Sequence, residues 1–306
     1  MLEACDIGHR VVVRHRVETR QTDVVGTLLA INADQLVLRT DAGAVQLVPV
    51  SDVTAAKRVP PRPARYSEML ALEAIADRAW PAPETVRLGE WLLRAAQGWT
   101  NRANSALPLG DSGRPLEATV AACVAFYRSR GLPPKITVPL PVRRDVGDHL
   151  SADGWFAQPP VLVQVAPIEA VATAVADRVD LLDVPTPAFL DALGRWKSEP
   201  PPAALAVLTG GRPVIFAEIC EGGALMATAR GAVVDGWLHL GLVAGADAAR
   251  RRGLAQRVSA AVARWGQALG ATRMVLQVEQ DNAAAVALYR RLGFSTHHRY
   301  VTYRAG

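Results

Sequence analysis

Cysteine is scarce: Cys5, Cys123 and Cys220 are the only three in 306 residues, far apart, with no CxxC or neighbouring Cys/His pair. That excludes a disulfide framework and gives no zinc signature, so the thiols read as reduced and mostly buried. Long apolar runs are also missing. No stretch reaches about 18 residues without a charge, so no membrane-spanning helix is expected. The start MLEACDIGHR lacks the basic segment, apolar run and cleavage site of a secretory signal, and a cytosolic chain is expected. Nor is one sign of charge concentrated where a nucleic-acid arm would need it. The net charge is +5, but Arg10, Arg14, Arg16, Arg20, Arg39, Lys57 and Arg58 are matched in that segment by Glu3, Asp6, Glu18, Asp23, Asp34, Asp41 and Asp52. Nucleic acid is not an expected partner.

What is present is an ordinary globular composition, half apolar and 21% charged, at a length that suits two or three domains. Short β-branched runs come first: Val11 to Val13, Val24 to Leu28, Leu36 to Leu38 and Val45 to Val48. The turn-like segments Ala33-Asp34 and Asp41-Ala42-Gly43 separate them, which predicts a small antiparallel SH3-like barrel over 1–58. Val59-Pro60-Pro61-Arg62-Pro63 follows, an extended linker over 59–65.

Beyond it the pattern is α/β. A helix around Tyr66 to Ala76 precedes two expected strands, Val86 to Ala95 and Trp99 to Leu109, then a helix from Leu116 to Arg130 and a strand from Ile136 to Leu140. Expected strands at Ala204 to Leu208, Pro213 to Ile219, Leu225 to Ala232 and Trp237 to Leu242 lead to a helix from Leu254 to Leu269. Strand Met274 to Val278, helix Ala283 to Leu292 and strand Thr296 to Tyr303 complete the order. Sliding the chain on itself until Leu116 falls on Leu254 also places Gly98-Trp99 on Gly236-Trp237 and Tyr127 on Trp265. One further position of shift places Gly154-Trp155 on Gly293-Phe294. These landmarks point to a duplicated α/β unit, with copies over 66–166 and 167–306.

Two motifs in the second copy carry chemistry. Arg250-Arg251-Arg252-Gly253-Leu254-Ala255 follows a strand and opens an amphipathic helix. A helix N-terminus offers unpaired N–H groups and a positive dipole end, and a glycine there lets the backbone approach an anion. Neither GxxxxGK[ST] nor GxGxxG occurs. The second motif runs from Gln277 to Phe294 and contains Asn282, Tyr289 and Gly293-Phe294. Asn282 and Tyr289 are almost two turns apart and share a helix face. They also suit plain structural roles, Asn282 as a cap and Tyr289 as a core aromatic.

Together the motifs resemble the Gcn5-related N-acetyltransferase superfamily, whose Q/R-x-x-G-x-G/A loop and N-x6-Y-x3-GF segment they match in order. The resemblance covers the second copy, 167–306, and through the repeat extends more weakly back to Tyr66. It implies tandem acetyltransferase folds in an α/β mixed-sheet architecture, with acetyl-CoA as co-substrate and no metal. Its pyrophosphate is expected on Arg250, Arg251, Arg252, Gly253, Leu254 and Ala255, with Asn282 and Tyr289 also contacting the cofactor. Val243, Ala244 and Gly245, on a splayed strand, are expected to bind the pantetheine arm. Gly245 and Asp247 depart from the family pattern, which implies a wider loop. In the first copy the loop falls on Ser112 to Glu117, where Pro115 replaces the glycine and Glu117 would repel phosphate, so that copy is expected not to bind acetyl-CoA.

The resemblance makes Tyr289 the acid for the leaving thiolate. His239 stands eleven positions ahead of the loop, where some members have a catalytic Glu; titrating near 6.5 when unperturbed, it is the expected general base, a structural histidine being the alternative. Gln277 occupies another position used for a base and cannot serve; Glu218 and Glu279 are reserves. In the first copy, some of Trp91, Arg94, Trp99, Thr100, Asn101, Arg102 and Asn104 are expected to face an acceptor groove between the copies, the alternative being a solvated sheet face with Trp99 in the core. The activity expected is acetyl transfer to a primary amine, on a protein lysine or a small molecule, by direct attack in a ternary complex. The rival is a non-catalytic acyl-CoA sensor with the barrel as interaction module; the barrel's partner stays open.

Overall fold

The structure, a computed structural model, describes residues 2–60, 62, 64–196, 200–246 and 251–306. The chain separates between Ala64 and Arg65 into two compact units. The first is an all-β unit of strands β1 (Arg10–Val17), β2 (Arg20–Ile31), β3 (Gln35–Thr40), β4 (Val45–Pro49) and β5 (Val53–Arg58), antiparallel in the order β4-β3-β2-β1-β5. Alternation drives it: Val11 and Val13 on β1, Leu28 on β2, Leu38 on β3 and Val48 on β4 are all fully buried in one core. The turn at Ala33-Asp34 is closed by Asn32, whose Oδ1 accepts from the backbone N–H of Asp34 and Gln35. At Gly26 the strands approach so closely that a Cβ would lie 2.2 Å from the Arg39 carbonyl oxygen. Strand β5 was not expected, because Ala55-Ala56-Lys57 lacks β-branched residues; pairing with β1 supplies what propensity does not.

The second unit runs α1 (Tyr66–Ala79), β6 (Glu84–Leu88), β7 (Trp91–Ala95), β8 (Ala106–Pro108), α2 (Leu116–Arg128), β9 (Lys135–Leu140), α3 (Arg144–Ala152), β10 (Phe156–Ala157) and β11 (Val161–Pro167). It continues with α4 (Ile168–Ala172), β12 (Asp180–Leu182), α5 (Pro187–Trp196), α6 (Pro202–Thr209), β13 (Val214–Glu221), β14 (Ala224–Val234) and β15 (Trp237–Gly245). Helix α7 (Leu254–Ala268), β16 (Arg273–Glu279), α8 (Ala283–Arg291) and β17 (Ser295–Arg304) end it.

Two expectations are corrected. Ala204 to Leu208 is helical, within α6; an unbroken apolar run has no period, and the proline at the start of the helix was the better signal. Val86 to Ala95 is not one strand but lies in the β6–β7 hairpin, and of Trp99 to Leu109 only Ala106–Pro108 is strand.

The strands form one mixed sheet in the order β12-β13-β14-β15-β16-β11-β17-β9-β8-β7-β6, with β10 beside β17. Helices α2 and α7 begin at Leu116 and Leu254, the two landmarks that the sequence repeat superimposes. Helices α3 and α8, beginning at Arg144 and Ala283, coincide after one further position of shift. The last strand of each half lies across the middle. Strand β11 is inserted between β16 and β17, and β17 between β11 and β9. Neither half therefore closes its sheet with its own terminal strand. On one face, Val258 and Val262 of α7 pack with Ile215, Ala229 and Leu238 in the largest core. On the other, Trp80 and Trp99 pack with Phe189, Val207 and Phe216.

Candidate active site

Strands β15 and β16 run parallel and pair at Trp237 with Arg273, Leu238 with Met274 and His239 with Val275. Pairing stops there, although β15 continues to Gly245 and β16 to Glu279. A cleft opens between them, and the backbone groups of β15 that face β16 beyond His239 have no strand partner. Such groups seek a hydrogen-bonding ligand or water. On its other edge β15 stays joined to β14, but the register shifts between Thr228 and Arg230, opposite Leu242, which takes a φ of 52°. A positive φ at leucine is strained and must be held by its surroundings. Thr228 Oγ1 holds it by donating to the Leu242 carbonyl at 3.0 Å. Val243 and Ala244 follow the bulge half-buried, and Gly245 is exposed. Sequence reasoning missed Thr228 and Leu242; register errors leave no mark in composition.

At the start of α7, Gly253 takes a left-handed φ of 75° with no side-chain cap, and a Cβ there would meet nothing within 4 Å. Arg251 is left-handed too, at 62°. Leu254 is buried in the core, so only its backbone could serve a ligand, and Ala255 is half-buried. Arg252 is engaged by Glu221 through two bonds of 2.7 and 2.9 Å, and Arg257 by Asp177. Arg251 has no such partner among the described residues. Arg250 and Asp247 lie outside the described residues. Asn282 caps α8, its Oδ1 accepting from the Ala285 N–H at 3.1 Å. Two turns on, Tyr289 is 8% exposed and packs edge-on against Phe294, and its hydroxyl has no protein partner among the described residues. Burial pushes its pKa up, so the phenol stays protonated.

On the opposite sheet face lies a polar chamber. His239 is fully buried, with Nε2 3.0 Å from Arg102 Nη1 and 3.3 Å from Gln277 Oε1. Arg102 also donates to Gln277 and lies 5.0 Å from the ring of Trp80, as does Arg230. Burial first, then Arg102 and Arg230, hold the His239 pKa well below its ordinary value. An imidazole accepting from a guanidinium is neutral, with its hydrogen on Nδ1, which is buried without a partner among the described residues. The surroundings of this ring therefore oppose the titration near neutrality expected from the sequence. Arg230, missed as well, is buried with no carboxylate partner among the described residues, clamps the carbonyls of Leu208 and Gly210, and has its pKa lowered by burial to about 9. The signal was an arginine inside an apolar strand.

Arg102 comes from the first half, on a loop that Asn104 shapes. Asn104 Oδ1 accepts from the N–H of Ala96 and Gly98, and its Nδ2 donates to the carbonyls of Trp99 and Thr100. Gln97 and Thr100 both have positive φ. Of the polar segment singled out in the sequence, Trp91, Arg94 and Asn104 are buried, so a solvated sheet face is ruled out for them, while Trp99 lies in the core as that reading placed it. Only Arg102 reaches His239. A cavity of about 10 Å³, room for roughly one water, lies among Glu73, Arg102, Gln277 and Tyr300. Glu218 is buried and accepts from Thr186, whereas Glu279 is exposed at the open end of the cleft.

A sheet parted between two parallel strands, with a bulge above the parting and a left-handed glycine opening the next helix, is the frame of a Gcn5-related acetyltransferase. Two family models match: "Probable histone acetyltransferase Rv0428c C-terminal" over residues 66–303 and "Rv0428c N-terminal Sm-like domain" over residues 5–57. The chain belongs to this Rv0428c family of acetyltransferases, and its N-terminal unit is the small barrel of that family. It is 35% identical to the probable histone acetyltransferase Rv0428c of Mycobacterium tuberculosis, over 95% of this chain and 93% of that one. It is 29% identical to the uncharacterized N-acetyltransferase YobR of Bacillus subtilis, over 75% of this chain and 96% of that one. Two solved structures share the fold. A Gcn5-related N-acetyltransferase of Kribbella flavida aligns at TM-score 0.59 and 15% identity, over 78% of this chain and 96% of that one. A tandem protein of the same type from the clavulanic acid biosynthesis pathway aligns at 0.53 and 14%, over 80% and 90%.

Proposed function

We propose that this N-acetyltransferase moves the acetyl group of acetyl-CoA to a primary amine by direct attack, using its second half as the catalytic copy. The observation that carries this reading is the parting of β15 and β16 beyond His239 and Val275, with the Leu242 bulge at its edge. Acetyl-CoA supplies the activated thioester. Those backbone N–H groups of Val243, Ala244 and Gly245 that face β16 would hold the pantetheine arm and polarise the carbonyl, a task fixed dipoles perform without reorganising. Gly253, the first-turn N–H groups of Leu254 and Ala255, and Arg251 would receive the pyrophosphate, and Arg252 would have to share itself with Glu221. Arg250 and Asn282 belong to the same proposed set. Tyr289 would give its proton to the departing sulfur.

The first half supports rather than repeats this chemistry. Its loop closes on itself, Ser112 Oγ lying 2.7 Å from Thr119 Oγ1 and donating to the Arg114 carbonyl, and Pro115 has no N–H to offer. Gly253→Glu, which adds a negative side chain at a left-handed position, is expected to weaken acetyl-CoA binding about tenfold or more, since one charge-assisted hydrogen bond is worth about 1.5 to 3 kcal/mol. Pro115→Glu is expected to leave affinity alone. Titration calorimetry reads both, and unchanged binding in Gly253→Glu would remove the loop from the site.

For the acceptor's proton, the reading changes from that of the sequence alone. His239 accepts from Arg102 and is better cast as the group that positions Arg102 than as the base. Glu279, at the cleft mouth, is the freer carboxylate. His239→Gln keeps an acceptor near Arg102, so kcat should fall only modestly while any rate limb between pH 6 and 7 stays in place. Loss of that limb in the variant would restore His239 as the base.

A further inference from the structure

Strand β9 ends at Leu140, which pairs with Arg299, and from there to Ser295 strand β17 has no partner on that side. The gap is a cavity of about 500 Å³, well within the range of small-molecule sites. Met69, Leu140 and Leu162 give it an apolar wall, and Arg144, Arg299 and Asp148 a charged one. Arg144 and Arg299 are exposed, and their guanidinium groups have no ion pair or hydrogen bond among the described residues.

A β-bulge supplies two histidines. His298 pairs with Val163 and Thr296 with Gln164, so His297 is an extra residue in the ladder. In an unbroken strand adjacent imidazoles would point to opposite faces. Here their Nδ1 atoms are 2.9 Å apart. His298 Nε2 lies 2.9 Å from Glu73 Oε1, both groups buried. One hydrogen lies between the two Nδ1 atoms. With Glu73 ionised and accepting from His298 Nε2–H, His297 Nδ1–H donates to His298, and His297 Nε2, on a ring that lines the cavity, is left without a partner among the described residues. A proton added there makes His297 a cationic donor at the cavity wall, with Glu73 as its counter-charge beyond His298.

We propose that this cavity is a second ligand site, built for a small molecule that carries an oxyanion, phosphate or carboxylate, on an apolar body, and that the ligand binds together with a proton. Arg144 and Arg299 present forks that match an oxyanion. Without an anion bound, the groups around the cavity disfavour the proton. Burial and then His298 hold the His297 pKa below its ordinary value, Arg273 lowers it further, and Glu68 and Glu73 raise it. Arg144 and Arg299 oppose the proton from α3 and β17, and Asp148 favours it. An anion reverses that balance, and proton and ligand then favour each other by linkage.

The site is independent of the acetyl-CoA reading, and the test keeps the two apart. Phenyl phosphate is titrated into the full chain held with saturating acetyl-CoA, which keeps the probe off the Gly253 loop. The readout is the ¹³Cε1 signals of labelled histidines, with His297→Asn assigning the signal. The expected result is a saturable response at His297, an apparent pKa raised by about one unit or more, and calorimetric heats that change with buffer ionisation as a proton is taken up. Benzyl alcohol should bind far more weakly. The double variant Arg144→Ser/Arg299→Ser, at two exposed positions, should bind phenyl phosphate about tenfold less tightly or worse. No saturable response up to about 10 mM, equal affinity in the double variant, or no proton uptake would each overturn the proposal.

Discussion

Tyr289→Phe is expected to lower kcat by about 10² to 10⁴ while acetyl-CoA affinity stays nearly unchanged. The ring fills a place in the largest core and packs on Phe294, and phenylalanine keeps both contacts. Only the hydroxyl goes, and it has no protein partner among the described residues whose loss could disturb the fold. The leaving thiolate would then depart without a proton donor, a penalty felt in the transition state and not in binding. Stopped-flow single turnovers with calorimetry on the same variant separate the two. A fully active Tyr289→Phe would detach the acid from this position and revive the reading of the chain as a non-catalytic acyl-CoA sensor.

Arg94→Met is expected to destabilise the second unit by about 3 to 5 kcal/mol, because a buried pair broken on one side leaves an uncompensated charge. Arg94 is 3% exposed, with Nη1 2.9 Å from Asp77 Oδ1, Nε bonded to the Ser105 carbonyl and Nη2 to Ser105 Oγ. It ties α1 to β7 and to the segment that follows the Arg102 loop. Denaturant unfolding measures the loss, and Arg94→Met with Asp77→Leu should recover part of it, since removing both charges leaves neither stranded. A loss below about 1 kcal/mol for the single variant would mean that water reaches the pair.

How much of this was legible in the sequence depends on how local each signal is. Gly253 before Leu254, and Asn282 before Ala283, marked the starts of α7 and α8 to the residue, because a left-handed glycine and an N-cap act within one turn. The barrel strands alternate, so their inward residues were readable. Strand β11, by contrast, left no expectation, although Val161 to Val165 is largely apolar. Its two neighbours β16 and β17 belong to the far end of the chain, and pairing at that distance has no local trace. The same holds for the chamber. The Arg102 loop could be seen to be polar, but its contact with the distant His239 follows from packing alone. His239 shows the limit most clearly. The residue type suggested titration, and burial first, then two neighbouring arginines, push its pKa well down.

The inserted strands set a timetable for synthesis. Strand β17 completes the side of β9 that faces the centre of the sheet, yet it leaves the ribosome roughly 10 to 30 seconds later at ordinary elongation rates. Through that interval the nascent first half exposes two open strand edges, on β9 and on β11, which invite wrong partners. A ribosome that stalls before Ser295 would release a chain with that slot still empty, and such a fragment is a natural client for chaperones and proteases. In this molecule a strand made long after β9 and β11 is the one that lets the first half finish folding.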